Sequence, residues 1–158
     1  MDLAPELDVS EWLNAAAGPP TLAALRGKVV LVHAFQMLCP GCVMHALPQA
    51  RRVHEAVRRE DFAVLGLHSV FEHHAAMTPA ALAVFASEFR LGFPIGVDRH
   101  EPGSRLPATM AAYGMQGTPT TLLIDRQGRL RLHEPSSTSS SSSTSPSSLS
   151  SSSSSSLA

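Results

Sequence analysis

Cys39-Pro-Gly-Cys42 constrains this chain more than any other feature, because it holds both of the cysteines and stands where a strand pattern gives way to a helical one. Lys28 to Phe35 is an apolar, β-branched run behind Gly27 and reads as a buried strand. Val43, Leu47, Ala50, Val53 and Val57 recur at helical spacing, with Arg51, Arg52, Glu55, Arg58 and Arg59 on other faces. That pattern predicts an amphipathic helix from about Pro40. The unpaired N–H groups and positive dipole end of a helix favour an anion, and the reactive form of cysteine is the thiolate. Cys39 is therefore the expected nucleophile. Cys42, one turn further along the same face and less exposed, is placed to attack a mixed disulfide on Cys39 and close an internal bridge. Pro40 suits a helix start, where its missing N–H would be unpaired anyway.

Other uses of the pair need more than the chain offers. A structural zinc site takes about four ligands, so two thiols would have to recruit His45 and a distant histidine. A soft-metal carrier is the stronger rival, since Met37-x-Cys39-x-x-Cys42 joins a thioether to two thiolates in the manner suited to monovalent copper. Two cysteines with a purely structural role are the bland reading. A C-x-x-C between strand and helix favours redox chemistry over all three.

With 158 residues, 44% hydrophobic and 16% charged, the chain is the size of one domain with a sizeable core. Its 12 basic and 13 acidic residues leave a formal charge of -1, which gives nucleic acid and anionic membrane surfaces no electrostatic reason to bind. The first residues are acidic, with no basic residue before Arg26, so they do not read as a secretory signal. The apolar run Val29 to Phe35 is too short to span a bilayer. Two thiols without an export signal point to a cytoplasmic, reducing setting.

Val9 to Ala17 is expected to form a short helix carrying Trp12 and Leu13, capped by Ser10 and stopped at Gly18-Pro19-Pro20. His33, six positions before Cys39 in an apolar strand, is either a satisfied core histidine or a proton acceptor beneath the dithiol. Pro48 should kink the helix after Cys42. Asp61 to Ser69 reads as a second buried strand, parallel to the first across the helical crossover. Val70 to Met77 is a loop with Glu72, His73 and His74; together with His68 these could suggest a metal, but a solvated loop is the favoured reading. Thr78-Pro79 opens a helix to about Arg90, Gly92 to Asp98 is extended, and Pro107 to Tyr113 is a small helix ended by Gly114. Thr120 to Asp125 is a strand, with Arg126-Gln127-Gly128 as a turn into its partner Arg129 to His133. Residues 1–134 form the domain, and 135–158 read as a disordered serine-rich tail that cannot bury enough surface to offset its ordering entropy.

Taken together, Gly27-Lys-Val-Val-Leu-Val-His-Ala-Phe35, Cys39-Pro-Gly-Cys42, Tyr113-Gly-Met-Gln-Gly-Thr-Pro119 and Leu123-Ile-Asp-Arg-Gln-Gly128 resemble the thioredoxin superfamily. Within it they resemble the TlpA-like and alkyl hydroperoxide reductase/thiol-specific antioxidant (redoxin) branches. The resemblance implies a thioredoxin-like α/β fold, a central mixed sheet with helices on both faces. It implies thiol-disulfide oxidoreductase activity with Cys39 attacking and Cys42 resolving, Pro119 as the cis-proline against the disulfide, and Thr118 offering backbone groups to substrate. His33 falls where many thioredoxins carry a buried acid. The implied partners are a protein or small-molecule disulfide and a reductant, with no cofactor and no resident metal. Two departures matter. Leu38 replaces the usual tryptophan, and Val32 and Gln36 stand where the P-x-x-x-T-x-x-C pattern of peroxiredoxins has proline and threonine, which makes a thiol peroxidase with antioxidant activity the alternative. The serine tail replaces the family's final helix, so Leu130 or Leu132 should be poorly covered, which leaves either a marginally stable, aggregation-prone monomer or a partner chain, such as a second copy, over that face.

Overall fold

The computed structural model describes residues 2–135. The tail from 136 onward, and the disorder expected of it, lie outside the described residues. Six strands form one sheet in the order β1-β4-β3-β2-β5-β6. They are β1 (Val9–Leu13), β2 (Val29–Phe35), β3 (Phe62–His68), β4 (Ile95–Asp98), β5 (Thr120–Ile124) and β6 (Leu130–Pro135). The helices are α1 (Leu47–Ala56), α2 (Pro79–Glu88) and α3 (Ala108–Ala112).

β2 lies at the centre. It pairs in parallel with β3 from Val29↔Phe62 to Phe35↔His68, and antiparallel with β5 from Val30↔Ile124 to Ala34↔Thr120. β4 extends the sheet in parallel beyond β3, and β6 closes the hairpin with β5. The period of two along β2 sends alternate residues to two cores. Val30, Val32 and Ala34 join Leu65, Leu67, Leu122, Ile124 and Met110 of α3 on one face. Phe35 joins Val64, Ile95, Leu47 and Ala50 of α1, and Leu82 and Ala86 of α2 on the other. Helices therefore cover both faces, as expected of a mixed α/β sheet.

The segment expected as a helix from Val9 is instead β1. A helix of nine residues is marginal on its own, whereas Glu11↔Val97, Trp12↔Gly96 and Leu13↔Ile95 fill the otherwise open edge of β4. Close packing supports the pairing, since a Cβ on Gly96 would lie 2.8 Å from a Val9 methyl and 3.2 Å from the Trp12 ring. Trp12 is a packing residue, set against the Val30 side of the core.

The disturbance expected at Pro48 takes a specific form. The chain is helical from Pro40, but Cys42–Ala46 is a π turn, with the Leu47 N–H donating to the Cys42 carbonyl. A proline has no N–H and crowds the carbonyl four residues earlier, and a widened turn upstream relieves both. Thr78 caps α2 as expected, its hydroxyl accepting the Ala81 N–H at 3.2 Å.

β6 runs one residue past the expected domain boundary, Pro135 lying opposite Thr120. The expectation for Leu130 needs correcting. A bulge between Leu123 and Ile124 sets Leu130 opposite Ile124, so Leu130 packs on the Val30 face, while Leu132 lies opposite Leu123 and faces the other side. Both are half-buried.

Gly66, in the middle of β3, is tightly enclosed by side chains: a Cβ there would sit 3.0 Å from Phe93, 3.1 Å from Ile95 and 3.2 Å from Phe35, so these would have to give way. Gly66→Ala should therefore destabilise the fold by about 1–3 kcal/mol through overpacking. A denaturant midpoint unchanged from wild type would contradict that packing.

Candidate active site

β2 ends at Phe35, and the next four residues carry the chain over the C-terminal edge of the sheet to Cys39. Cys39 caps the helix that starts at Pro40. Its Sγ accepts the Cys42 N–H at 3.3 Å and its carbonyl accepts the Val43 N–H at 3.1 Å. A sulfur in the place where capping oxygens usually sit meets an N–H that the helix leaves unpaired. Cys39 is half-buried, Cys42 is fully buried, and both are free thiols. Burial pushes the Cys42 thiol up to about 12, and its hydrogen bond with Cys39 pushes the same way, against hydrogen bonding from the Gln36 backbone and Thr118. The two cysteines thus have different reactivity built in by depth.

The Thr118–Pro119 peptide bond is cis. The Thr118 carbonyl accepts a hydrogen bond from Cys39 Sγ at 3.5 Å, so the loop before β5 lies against the thiol expected to attack. The structure brings Cys39, Cys42, Thr118 and Pro119 together.

His33 is buried at 2% exposure and shares the sheet face of Phe35, toward which Cys42 also points. Its Nδ1 lies 3.3 Å from the Thr121 hydroxyl, and burial lowers its pKa to about 4, so the ring is neutral at ordinary pH. The histidines read as a cluster separate in space. His68 is the last residue of β3 and is buried, its Nε2 accepting the Met37 N–H at 3.2 Å and its ring centroid 5.2 Å from that of Phe35. Burial lowers its pKa to about 4 as well. His73 and His74 are exposed, and in the segment expected as a loop His74–Ala76 forms a short 3-10 turn. Among the described residues no group of three or more His, Cys, Asp or Glu could hold a metal ion. Met37 is buried in the same cluster as Cys42.

Two residues of the site were not singled out as such in the sequence. Gln36 links Thr118 to the loop after β3, and His68 fixes the Met37 backbone. Their one signal was a polar side chain at the end of each apolar strand. Behind them Asp98 accepts from Ser69 Oγ at 2.8 Å and from the Thr109 and Met110 N–H groups at 2.7 and 3.0 Å, tying α3 to the edge of the sheet that carries the thiols.

The model of the AhpC/TSA family matches residues 1–133. A crystal structure of a thioredoxin-like superfamily protein is 54% identical, with a TM-score of 0.82, covering 87% of this chain and 88% of that one. A thiol-disulfide isomerase from Corynebacterium glutamicum is 50% identical, with a TM-score of 0.79, covering 84% of this chain and 86% of that one. The fold is thioredoxin-like. Protein DipZ of Mycobacterium bovis is 31% identical over 130 residues, which is 81% of this chain and 18% of that protein. The chain thus spans less than a fifth of the length of the curated relatives it matches. No helix among the described residues is long and apolar enough to cross a membrane.

The burial of these groups has two measurable outcomes. At pH 8 the reduced, folded protein should take up iodoacetamide at Cys39 alone, and at Cys42 only after denaturation; peptide mass mapping that finds both labelled at similar rates would contradict the depth difference. His33 and His68 bind a proton less readily folded than unfolded, so the stability they contribute is present above about pH 6.5 and is lost as pH falls toward 4. The loss is on the order of 3 kcal/mol each. Asp98, whose carboxyl burial raises, works in the opposite direction. Denaturant midpoints from pH 7 to 4 should fall, and more gently in His33→Asn.

Proposed function

The chain belongs to the AhpC/TSA family, and from that premise we propose that it is a thiol-disulfide oxidoreductase working through the Cys39–Cys42 dithiol. The observation that carries the reading is the placing of Cys39 Sγ between the helix N–H at Cys42, 3.3 Å away, and the Thr118 carbonyl, 3.5 Å away, beside a cis-proline. A half-exposed sulfur meets the incoming disulfide, and a buried one waits beneath it.

The Cys39 thiolate attacks one sulfur of a substrate disulfide, forming a mixed disulfide and releasing the first substrate thiolate. Cys42 then loses its proton and attacks Cys39 Sγ, which closes the internal disulfide and releases the second thiolate. The substrate gains two electrons and the dithiol loses them, so a separate reductant must restore the pair. Because burial holds Cys42 protonated up to about pH 12, the second step needs a proton acceptor. In this reading the substrate thiolate released in the first step takes that proton, His33 stays neutral on the same sheet face, and Thr118 aligns the substrate backbone. Protein or small-molecule disulfides are the substrates, and a reducing, cytoplasmic setting suits a dithiol that starts in the attacking form.

Thiol peroxidase activity is the second reading, motivated by the family match. Against it, Val32 and Gln36 stand where peroxiredoxins have proline and threonine, and the Gln36 amide is already engaged with Thr118 and Phe71.

Insulin reduction with dithiothreitol as electron source, run beside hydrogen peroxide consumption, tests the reading. Cys39→Ser should lower insulin reduction to the uncatalysed background, and Cys42→Ser should accumulate a covalent complex with substrate, because attack survives and resolution does not. Full activity in either variant, or peroxide consumption that outpaces insulin reduction, would overturn it.

A further inference from the structure

Gln36 stands between the end of β2 and the thiols, 3% exposed, with both ends of its side-chain amide engaged. Its Nε2 donates to Thr118 Oγ1 at 3.4 Å, and its Oε1 accepts the Phe71 N–H at 3.2 Å. Its own carbonyl accepts the Cys39 N–H at 3.1 Å, and Cys39 Sγ donates to the Thr118 carbonyl at 3.5 Å. Three of these bonds make a closed ring through Gln36, Cys39 and Thr118. The fourth ties the ring to the loop after β3.

We propose that Gln36 is a positioning residue for disulfide exchange, holding the Thr118–Pro119 loop in register with Cys39 so that a disulfide docked on that loop meets the sulfur in line. This rests on the reading of Cys39 as the attacking sulfur. An uncharged side-chain amide is suited to the task, since it donates at one end and accepts at the other. A fixed carboxylate would oppose the thiolate that must form beside it, and an asparagine is one methylene too short to span both loops. The neighbouring residue is held independently, because His68 Nε2 accepts the Met37 N–H at 3.2 Å. Removing the Gln36 amide therefore frees the Thr118 loop while the segment that carries Cys39 stays anchored. Misplacement by about 1 Å at a reacting centre costs up to about 100-fold in rate. The loss should fall on reactions that use the loop and spare those that need only the thiol.

The test compares wild type with Gln36→Met, similar in length and unable to bridge, and Gln36→Glu, which bridges when its carboxyl is protonated. Each is assayed for alkylation of Cys39 by iodoacetamide from pH 6 to 9 and for kcat/KM in insulin reduction. For Gln36→Met the expected result is alkylation within about twofold of wild type with the same pH profile, and kcat/KM lower by about 10- to 100-fold. Gln36→Glu should recover most of that loss at pH 6 and give it up as pH rises and its carboxyl ionises. Wild-type kcat/KM in Gln36→Met, or alkylation that falls in step with turnover, would overturn the proposal. If Gln36→Met does not fold, Gln36→Asn makes the same comparison with the same expected split. A wild type inactive on insulin fails the functional reading; an active wild type equalled by Gln36→Met fails this inference alone.

Discussion

The structure depends on β2 being hydrogen-bonded on both edges. Seven residues pair with β3 and five with β5, so the end of this strand is held from both sides. A thiol four residues beyond it inherits that fixity. The loop carrying Thr118 enters β5, which pairs with the same strand, and the segment carrying Phe71 leaves β3, which pairs with it on the other side. The three loops that meet at Cys39 are thus the exits and entrances of three adjacent strands. Their relative placing is set by backbone pairing before any side chain is chosen.

On that frame, chemistry is divided by depth. Cys42 gives up solvent and with it the ease of losing a proton, while Cys39 keeps contact with solvent. The buried polar groups around them are neutral or internally satisfied: two histidines too buried to charge, a glutamine amide with both ends engaged, and no buried side-chain N or O atom among the described residues without a partner. A fixed charge there would favour one redox form of the dithiol over the other by electrostatics alone. Neutral hydrogen bonds hold position without taking that side.

Much of this was legible in the sequence, and the reason is local. Val29 to Phe35, Phe62 to His68 and the Asp-x-x-Gly hairpin carry continuous apolar runs or turn chemistry that need no distant partner to be read. The Thr78-Pro79 start of α2 is equally local. The strand at Val9 to Leu13 was not legible, because what makes it a strand is the free edge of β4, more than eighty residues away. Nor was the face of Leu130, because one bulge inverts alternation, and bulges leave no mark in a short hairpin. Cys39, Cys42, Thr118 and Pro119 were found by spacing and resemblance. Gln36 and His68 were not, since hydrogen bonds across 82, 35 and 31 positions carry no periodic signature.

The π turn at Cys42–Ala46 separates two demands that a continuous helix would have to satisfy together. Each extra residue in a turn rotates the rest of the helix by about 100°. The first turn is phased by the thiols, which need Cys42 inward and Cys39 at the rim, while the later turns are phased by the sheet, which needs Leu47 and Ala50 inward. Cys42 and Leu47, five apart, both face the core only because the widened turn acts as a slip joint between the two registers. The thiols and the sheet are thus each met in their own helical register.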